Sequence, residues 1–225
     1  MSGLLYAIGG FNGSSPSGLN TVEVYNPASK SWTTAAPMPT ARYGLAAAVV
    51  NGLIYAIGGL NGSGSLKTVE VYDPTSNSWT TAAPMPTARE LLAAASANGL
   101  IYAIAGFNGA YLNTVEAYNP TTNSWSTAAA MPTGRGELAA DAMNGLVYAI
   151  GGSNGVASVN TVEVYNPSTN SWSTAAAIPT ATLGLAAADV NGLVYAIGGV
   201  SPGNVYSNAV AQYSQPVTVY LFTKN

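Results

Sequence analysis

Few residues in this chain carry side chains capable of chemistry, and those few sit at repeating positions. Histidine and cysteine are absent. That removes the commonest general base, the commonest metal ligand, any thiolate nucleophile and any disulfide framework. Asp141 and Asp189 stand in adjacent columns of a repeat where other units carry Ala or Val. Such carboxylates either face each other, sharing a proton or holding a cation, or point apart into water. The second reading is favoured, so the two are only weak metal candidates and no cofactor is expected. Glu90 and Glu137 follow Arg89 and Arg135 closely, and the four together hold the groups an acid/base pocket would need. The bland alternative is that Arg42, Arg89 and Arg135 are structural, pairing with a backbone carbonyl or with Glu90 and Glu137. Glu23, Glu70, Glu116 and Glu163 recur with the repeat and read as structural too.

The frame around these groups is apolar. Of 225 residues, 48% are hydrophobic and only 7% charged, against a norm of about 25% charged. A chain of that balance folds and buries most of its strand faces. With a net charge of −3 and six Lys/Arg scattered along the sequence, no basic stripe for nucleic acid exists. No apolar run approaches the roughly 18 residues of a membrane helix, so no membrane partner is expected. The start, MSGLLYAIGG, lacks a basic n-region and runs straight into a repeat, which is not how a signal peptide reads.

Self-similarity dominates the sequence. Trp32, Trp79, Trp125 and Trp172 recur at spacings of 47, 46 and 47, and the Asn-Gly pairs beginning at Asn51, Asn98, Asn144 and Asn191 keep those spacings. LLYAIGG (4–10) returns at 53–59, 100–106, 146–152 and 193–199 with small changes, and TVEVYNP (21–27) returns at 68–74, 114–120 and 161–167. Each unit reads as four short strands. Asn-Gly between apolar runs is a hairpin, because both turn residues need φ > 0. It joins an Ala-rich first strand to a nearly all-apolar second strand. A Gly/Asn/Ser loop leads to the third strand, Asn/Asp-Pro turns the chain, and a Trp-bearing fourth strand ends at a link such as PMPTAR (37–42). Four strands repeated every 46–49 residues describe the blade of a propeller. The Trp column, on the outer strands, reads as core packing.

The double glycine, the Tyr and the Trp seven residues later resemble the Kelch motif, from residue 3 to 213. Gly9-Gly10, Gly58-Gly59, Gly151-Gly152 and Gly198-Gly199 carry the pair, and Ala105 replaces one glycine in the third unit. The expected fold is therefore all-β: a single propeller of four-stranded antiparallel Kelch blades over 1–225. Its units run approximately 3–36, 44–83, 91–129, 138–176 and 185–224.

Five second strands imply five blades, but only four first strands exist, so the first blade is expected to have three strands and an open inner edge. Such an edge invites pairing with another chain, which makes closure or self-association through it an expectation. In the last unit NAVAQY (208–213) loses the Glu, and 217–224 reads as a fourth strand. Only three residues separate that segment from the third strand, too few to cross a blade at about 3.3 Å per residue.

In an up-and-down blade the second-to-third loops and the fourth-to-first links emerge on one ring face. By resemblance to Kelch domains that capture acidic peptides, Arg42, Arg89 and Arg135 would line a pocket there and grip carboxylates or phosphate. The fourth member of their column is Thr182. Phe11, Tyr43, Phe107, Tyr111 and Tyr206 lie on or beside the same loops. With Asn12, Asn61, Asn108 and Asn154 they suit a sugar or peptide, unless the Asn-Gly pairs are merely turn formers. The leading reading is a non-catalytic binding or protein-interaction module for an acidic peptide or glycan. A carbohydrate-acting or carbohydrate-binding protein is the alternative. Some Kelch rings resemble sugar epimerases or copper oxidases, and the copper type is excluded because it needs His ligands. A third reading is a truncated or engineered repeat scaffold without its own ligand, favoured by near-identical units and the abrupt Met-Ser-Gly start.

Overall fold

In the computed structural model, which describes residues 3–13 and 17–213, the Asn-Gly pairs make the turns expected of them. Asn51, Asn98, Asn144 and Asn191 all sit near φ 53, and each following glycine is also positive, from Gly192 at 73° to Gly52 at 80°. Two left-handed residues in a two-residue loop match the right-handed twist of the strands they join. Each pair therefore forces a first strand back along a second.

The strands build five blades. Blade 1 holds Leu5–Ile8, Val22–Asn26 and Ser31–Thr34; blade 2 holds Ala46–Val50, Leu53–Ile57, Val69–Asp73 and Ser78–Thr81. Blade 3 holds Ala93–Ala97, Leu100–Ile104, Val115–Asn119 and Ser124–Thr127. Blade 4 holds Ala139–Met143, Leu146–Ile150, Val162–Asn166 and Ser171–Ala175. Blade 5 shows Ala186–Val190, Leu193–Ile197 and Val210–Tyr213. All pairings are antiparallel and in chain order from the axis outward. Among the described residues the first blade has three strands and no inner one, as its sequence implies. The expected last strand at 217–224 lies outside the described residues.

Stacking explains why the second strands are apolar on both sides. One face of blade 2, with Tyr55, Ile57, Val69 and Met85, packs on Ile101, Ala103 and Tyr118 of blade 3. The same contact recurs between blades 3 and 4 and between blades 4 and 5. Ile57, Ile104 and Ile150 are wholly sealed by it, each contributing roughly 1.5–3 kcal/mol. The Ala-rich first strands of blades 2 to 5 lie against one another at the axis.

The tryptophan column does more than pack. Trp79, Trp125 and Trp172 are half-buried on the rim, and each indole N–H donates at 2.8 Å to a carbonyl of the preceding blade: Ala36, Ala83 and Ala129. They pack against the edges of the inter-blade cores, as expected, and also fasten one blade to the last. Trp32 makes no such hydrogen bond among the described residues and is 58% exposed. At the other end of the series Ile197 and Val210 are 43% and 61% exposed, although Ile150 and Val162, their counterparts in blade 4, are fully covered.

Candidate functional site

The links and loops do meet on one face, and the main chain shows how. After each link arginine position, the next residue pairs with the loop of the following blade: Tyr43 with Leu60, Glu90 with Phe107, Gly136 with Ser153, Leu183 with Val200. One residue further on, the backbone turns left-handed at Gly44, Leu91, Glu137 and Gly184, with φ between 54° and 61°. There the N–H of Leu91 donates to Gly44 O, that of Glu137 to Leu91 O, and that of Gly184 to Glu137 O. A chain of main-chain hydrogen bonds thus steps from blade to blade on this face.

The arginines do not reach that surface. Arg42, Arg89 and Arg135 are fully buried, and each points into the blade that follows its link. Their Nη2 atoms lie 2.9, 2.8 and 2.6 Å from Oε2 of Glu70, Glu116 and Glu163. Arg89 also donates to the carbonyls of Ala103 and Thr114, and Arg135 to those of Ala149, Gly151 and Thr161. Thr40, Thr87 and Thr133 donate to the same three carboxylates. Burial pulls the guanidinium of Arg89 down to about 10, against the upward pull of Glu116. The pocket-lining role drawn from resemblance is therefore corrected: all three guanidinium groups are sealed from solvent and paired with a buried carboxylate, so they do not line the face, although Arg42 Nε and Nη1 and Arg135 Nε find no hydrogen-bond partner among the described residues. Its partner glutamates are also not the adjacent Glu90 and Glu137 but those of the third strands.

Glu90 and Glu137 are left for the face itself. Glu90 is 9% exposed, and burial raises its carboxyl pKa; Glu137 is half-buried beside the axis. Two aromatic pairs flank them. Phe11, exposed, lies 5.0 Å from Tyr43, and Phe107 lies 5.1 Å from Tyr111. Tyr111 is clamped by two glycines of blade 4: a Cβ on Gly155 would meet its ring at 2.7 Å and one on Gly136 at 3.3 Å. Asn12 and Asn108 are exposed beside these rings. Asn61 and Asn154 instead cap their own turns, accepting from the N–H of Ser63 and of Val156 and Ala157. Tyr206 is 86% exposed on the loop of blade 5 and makes no ring pair among the described residues.

Asp141 and Asp189 do not converge on a metal. The Asp141 carboxylate accepts from the N–H of Asp189 at 2.6 Å and of Ala142 at 2.7 Å, while the Asp189 side chain is exposed. Burial raises the Asp141 pKa. No group of three or more potential ligands gathers among the described residues. Asp141 lies with Ala47, Val49, Ala94, Ser96 and Ala140 around an axial cavity of about 320 Å³.

A further set of residues escaped the sequence reading. Asn77, Asn123 and Asn170 take positive φ in the turn before the fourth strand. Each Oδ1 accepts from an N–H of the preceding blade: Ala36, Ala83 and Ala129. The signal was available, since NSW recurs three times while the first unit reads KSW at 30–32.

A family model described as the Kelch motif matches residues 1–39, 41–86, 88–132 and 134–177. The match stops before the fifth unit, where Thr182, Ile178 and Ala211 replace the Arg, Met and Glu of earlier units. Among solved structures, one titled "Structure of YjhT" superposes with a TM-score of 0.82 at 19% identity, covering 95% of this chain and 79% of that chain. At that identity the likeness concerns the fold.

Proposed function

The chain belongs to the Kelch-motif family, and from that premise we propose that it is a non-catalytic binding module whose loop face takes a neutral polar ligand, a glycan. A Kelch propeller is a binding or interaction module. The finer reading rests on one observation: the arginines that would attract an acidic peptide are buried and paired, whereas aromatic rings and the half-buried Glu137 remain beside the loops, with Glu90 buried next to Phe107. Rings offer flat apolar surfaces to the C–H faces of a sugar, and carboxylates and amides such as Asn108 bind its hydroxyls. Leu91 and Glu137 hold left-handed backbone without being glycine. That conformation costs of order 1–2 kcal/mol at each residue and fits a position kept for its side chain.

The test is a glycan array followed by titration of any sugar that binds. Tyr43→Ala and Phe107→Ala should each weaken binding about tenfold, the equivalent of ~1.4 kcal/mol. Silence on the array, or capture of an acidic peptide whose affinity falls with salt, would sink the glycan reading.

The first blade favours a second reading alongside this one. Among the described residues its strand Leu5–Ile8 is paired on one side only, and Leu5 is 60% exposed. An edge of that kind accepts a strand from a second copy of the chain. Light scattering over a concentration series should show association, and a strictly monomeric particle removes this reading.

A further inference from the structure

Three blades share a buried clamp, and the fifth has lost its Arg, Met and Glu together. In blades 2, 3 and 4 a buried link Arg pairs with a third-strand Glu and donates to at least one main-chain carbonyl, and in blades 3 and 4 it also lies against the Met sulfur of its own link. In the last unit Thr182 stands for the Arg, Ile178 for the Met and Ala211 for the Glu. The blade-to-blade register is unchanged, because Ile197 pairs with Val210 as Ile150 pairs with Val162. Nothing larger fills the vacated volume. A cavity of about 50 Å³ remains between blades 4 and 5, lined among others by Thr182, Ala196, Gly198, Ala209 and Ala211.

What survives in that cavity is the set of acceptors. Arg135 donates to the carbonyls of Ala149, Gly151 and Thr161, and their counterparts by register are Ala196, Gly198 and Ala209, all on the cavity wall. Arg42 and Arg89 use the carbonyls of Ala56 and Ala103 at the first of these positions. Carbonyl oxygens only accept hydrogen bonds, and each has two lone pairs, so the N–H of Gly198 on Ala209 O leaves capacity there. A space holding one water needs about 10–15 Å³, so this one takes roughly four non-hydrogen atoms. Planar N–H donors of that size, arranged as in the other three blades, describe one group.

We propose that the cavity between blades 4 and 5 is a binding site for a guanidinium group, supplied either by a small guanidinium compound or by an arginine side chain of a peptide. The protein would accept from outside the group that its own chain supplies in blades 2 to 4. The lost carboxylate at position 211 makes the affinity modest, and restoring it should strengthen the site. This site does not depend on the loop-face reading.

The probes are methylguanidinium and acetyl-arginine amide, titrated into the isotopically labelled chain and followed by NMR. Saturable shifts are expected at Thr182, Ala196, Gly198 and Ala209, with a dissociation constant of about 1 mM. Ala211→Glu should tighten methylguanidinium at least tenfold, and Thr182→Arg, which refills the space from within, should abolish the shifts. Thr182→Met fills the cavity without charge and should also abolish them. Binding of methylguanidinium alone identifies a small free compound, and binding of both probes identifies an arginine side chain. Failure of both probes on the unmodified chain overturns the proposal. So does binding that Ala211→Glu does not tighten, or that both Thr182 variants leave intact.

Discussion

Arg89 Nη2 lies 2.8 Å from Glu116 Oε2, with the arginine side chain fully sealed and the glutamate side chain 4% exposed. The two residues belong to different blades' worth of sequence: one ends the link after blade 2, the other lies in the third strand of blade 3. Taking either away leaves a buried charge without its partner, at a cost of about 3–5 kcal/mol. Arg89→Met should therefore lower stability by that order in urea unfolding, and so should Glu116→Ala. The double variant reproduces what blade 5 already tolerates and should cost clearly less than the sum. Strict additivity would mean that the pair is not coupled.

The rim tryptophans allow a comparison within one molecule. Trp125 donates to Ala83 O, whereas Trp32 makes no such hydrogen bond among the described residues. Trp125→Phe should cost about 1–3 kcal/mol through a lost hydrogen bond and an orphaned carbonyl. Trp32→Phe should change stability by less than about 0.5 kcal/mol. Equal effects would remove the fastening role.

Ala105 occupies a position where the other four units carry glycine, and it does so at φ 59. A left-handed alanine costs roughly 1–2 kcal/mol, while glycine loses about 0.4–1 kcal/mol through the freedom it gives the unfolded chain. Ala105→Gly should stabilise the fold by up to ~1 kcal/mol. At Gly58 an added Cβ would meet Arg89 O at 2.6 Å, so Gly58→Ala should destabilise. Loss of stability in Ala105→Gly would contradict the strain.

Alkaline pH should weaken the ring. Burial raises the pKa of Tyr55, Tyr102, Tyr118, Tyr148 and Tyr165 above the ordinary value. Below about pH 10 folded and unfolded chains both keep these protons, and their contribution is constant. Above it the unfolded chain ionises first, so stability falls until the folded tyrosines ionise too. The lowered arginines act in the opposite sense from about 10, the value for Arg89, upward, but the tyrosines outnumber them. The urea midpoint should be lower at pH 10.5 than at pH 8, and a flat profile would contradict the burial of these phenols.

What could be read in the sequence was whatever depends on neighbours in the chain. Asn51-Gly52 makes its turn from its own backbone preference, and the missing first strand of blade 1 follows from counting. The fate of the arginines was harder, because Arg42 meets Glu70 and Arg135 meets Glu163 across 28 residues. The nearest carboxylates in sequence, Glu90 and Glu137, were the wrong partners. A clue was nevertheless present: the unit with Thr182 in place of Arg is also the unit with Ala211 in place of Glu. The fastening role of the Trp column was hidden for a related reason. A hydrophobic residue at constant spacing looks like core, and only the stacking of blades shows that its N–H crosses to Ala36, Ala83 or Ala129. On the loop face, the links and loops were placed correctly. The side chains that remain there depend on which charges the interior claims.

The step from Gly44 O through Leu91 and Glu137 to Gly184 uses nothing but main-chain atoms. Any unit that takes the left-handed turn at that point can therefore continue the chain of hydrogen bonds, whatever its loops contain. Recombination among the near-identical gene segments could exchange or duplicate whole units without creating a foreign boundary. The cargo of the loops would then be free to diversify while the masonry stayed the same.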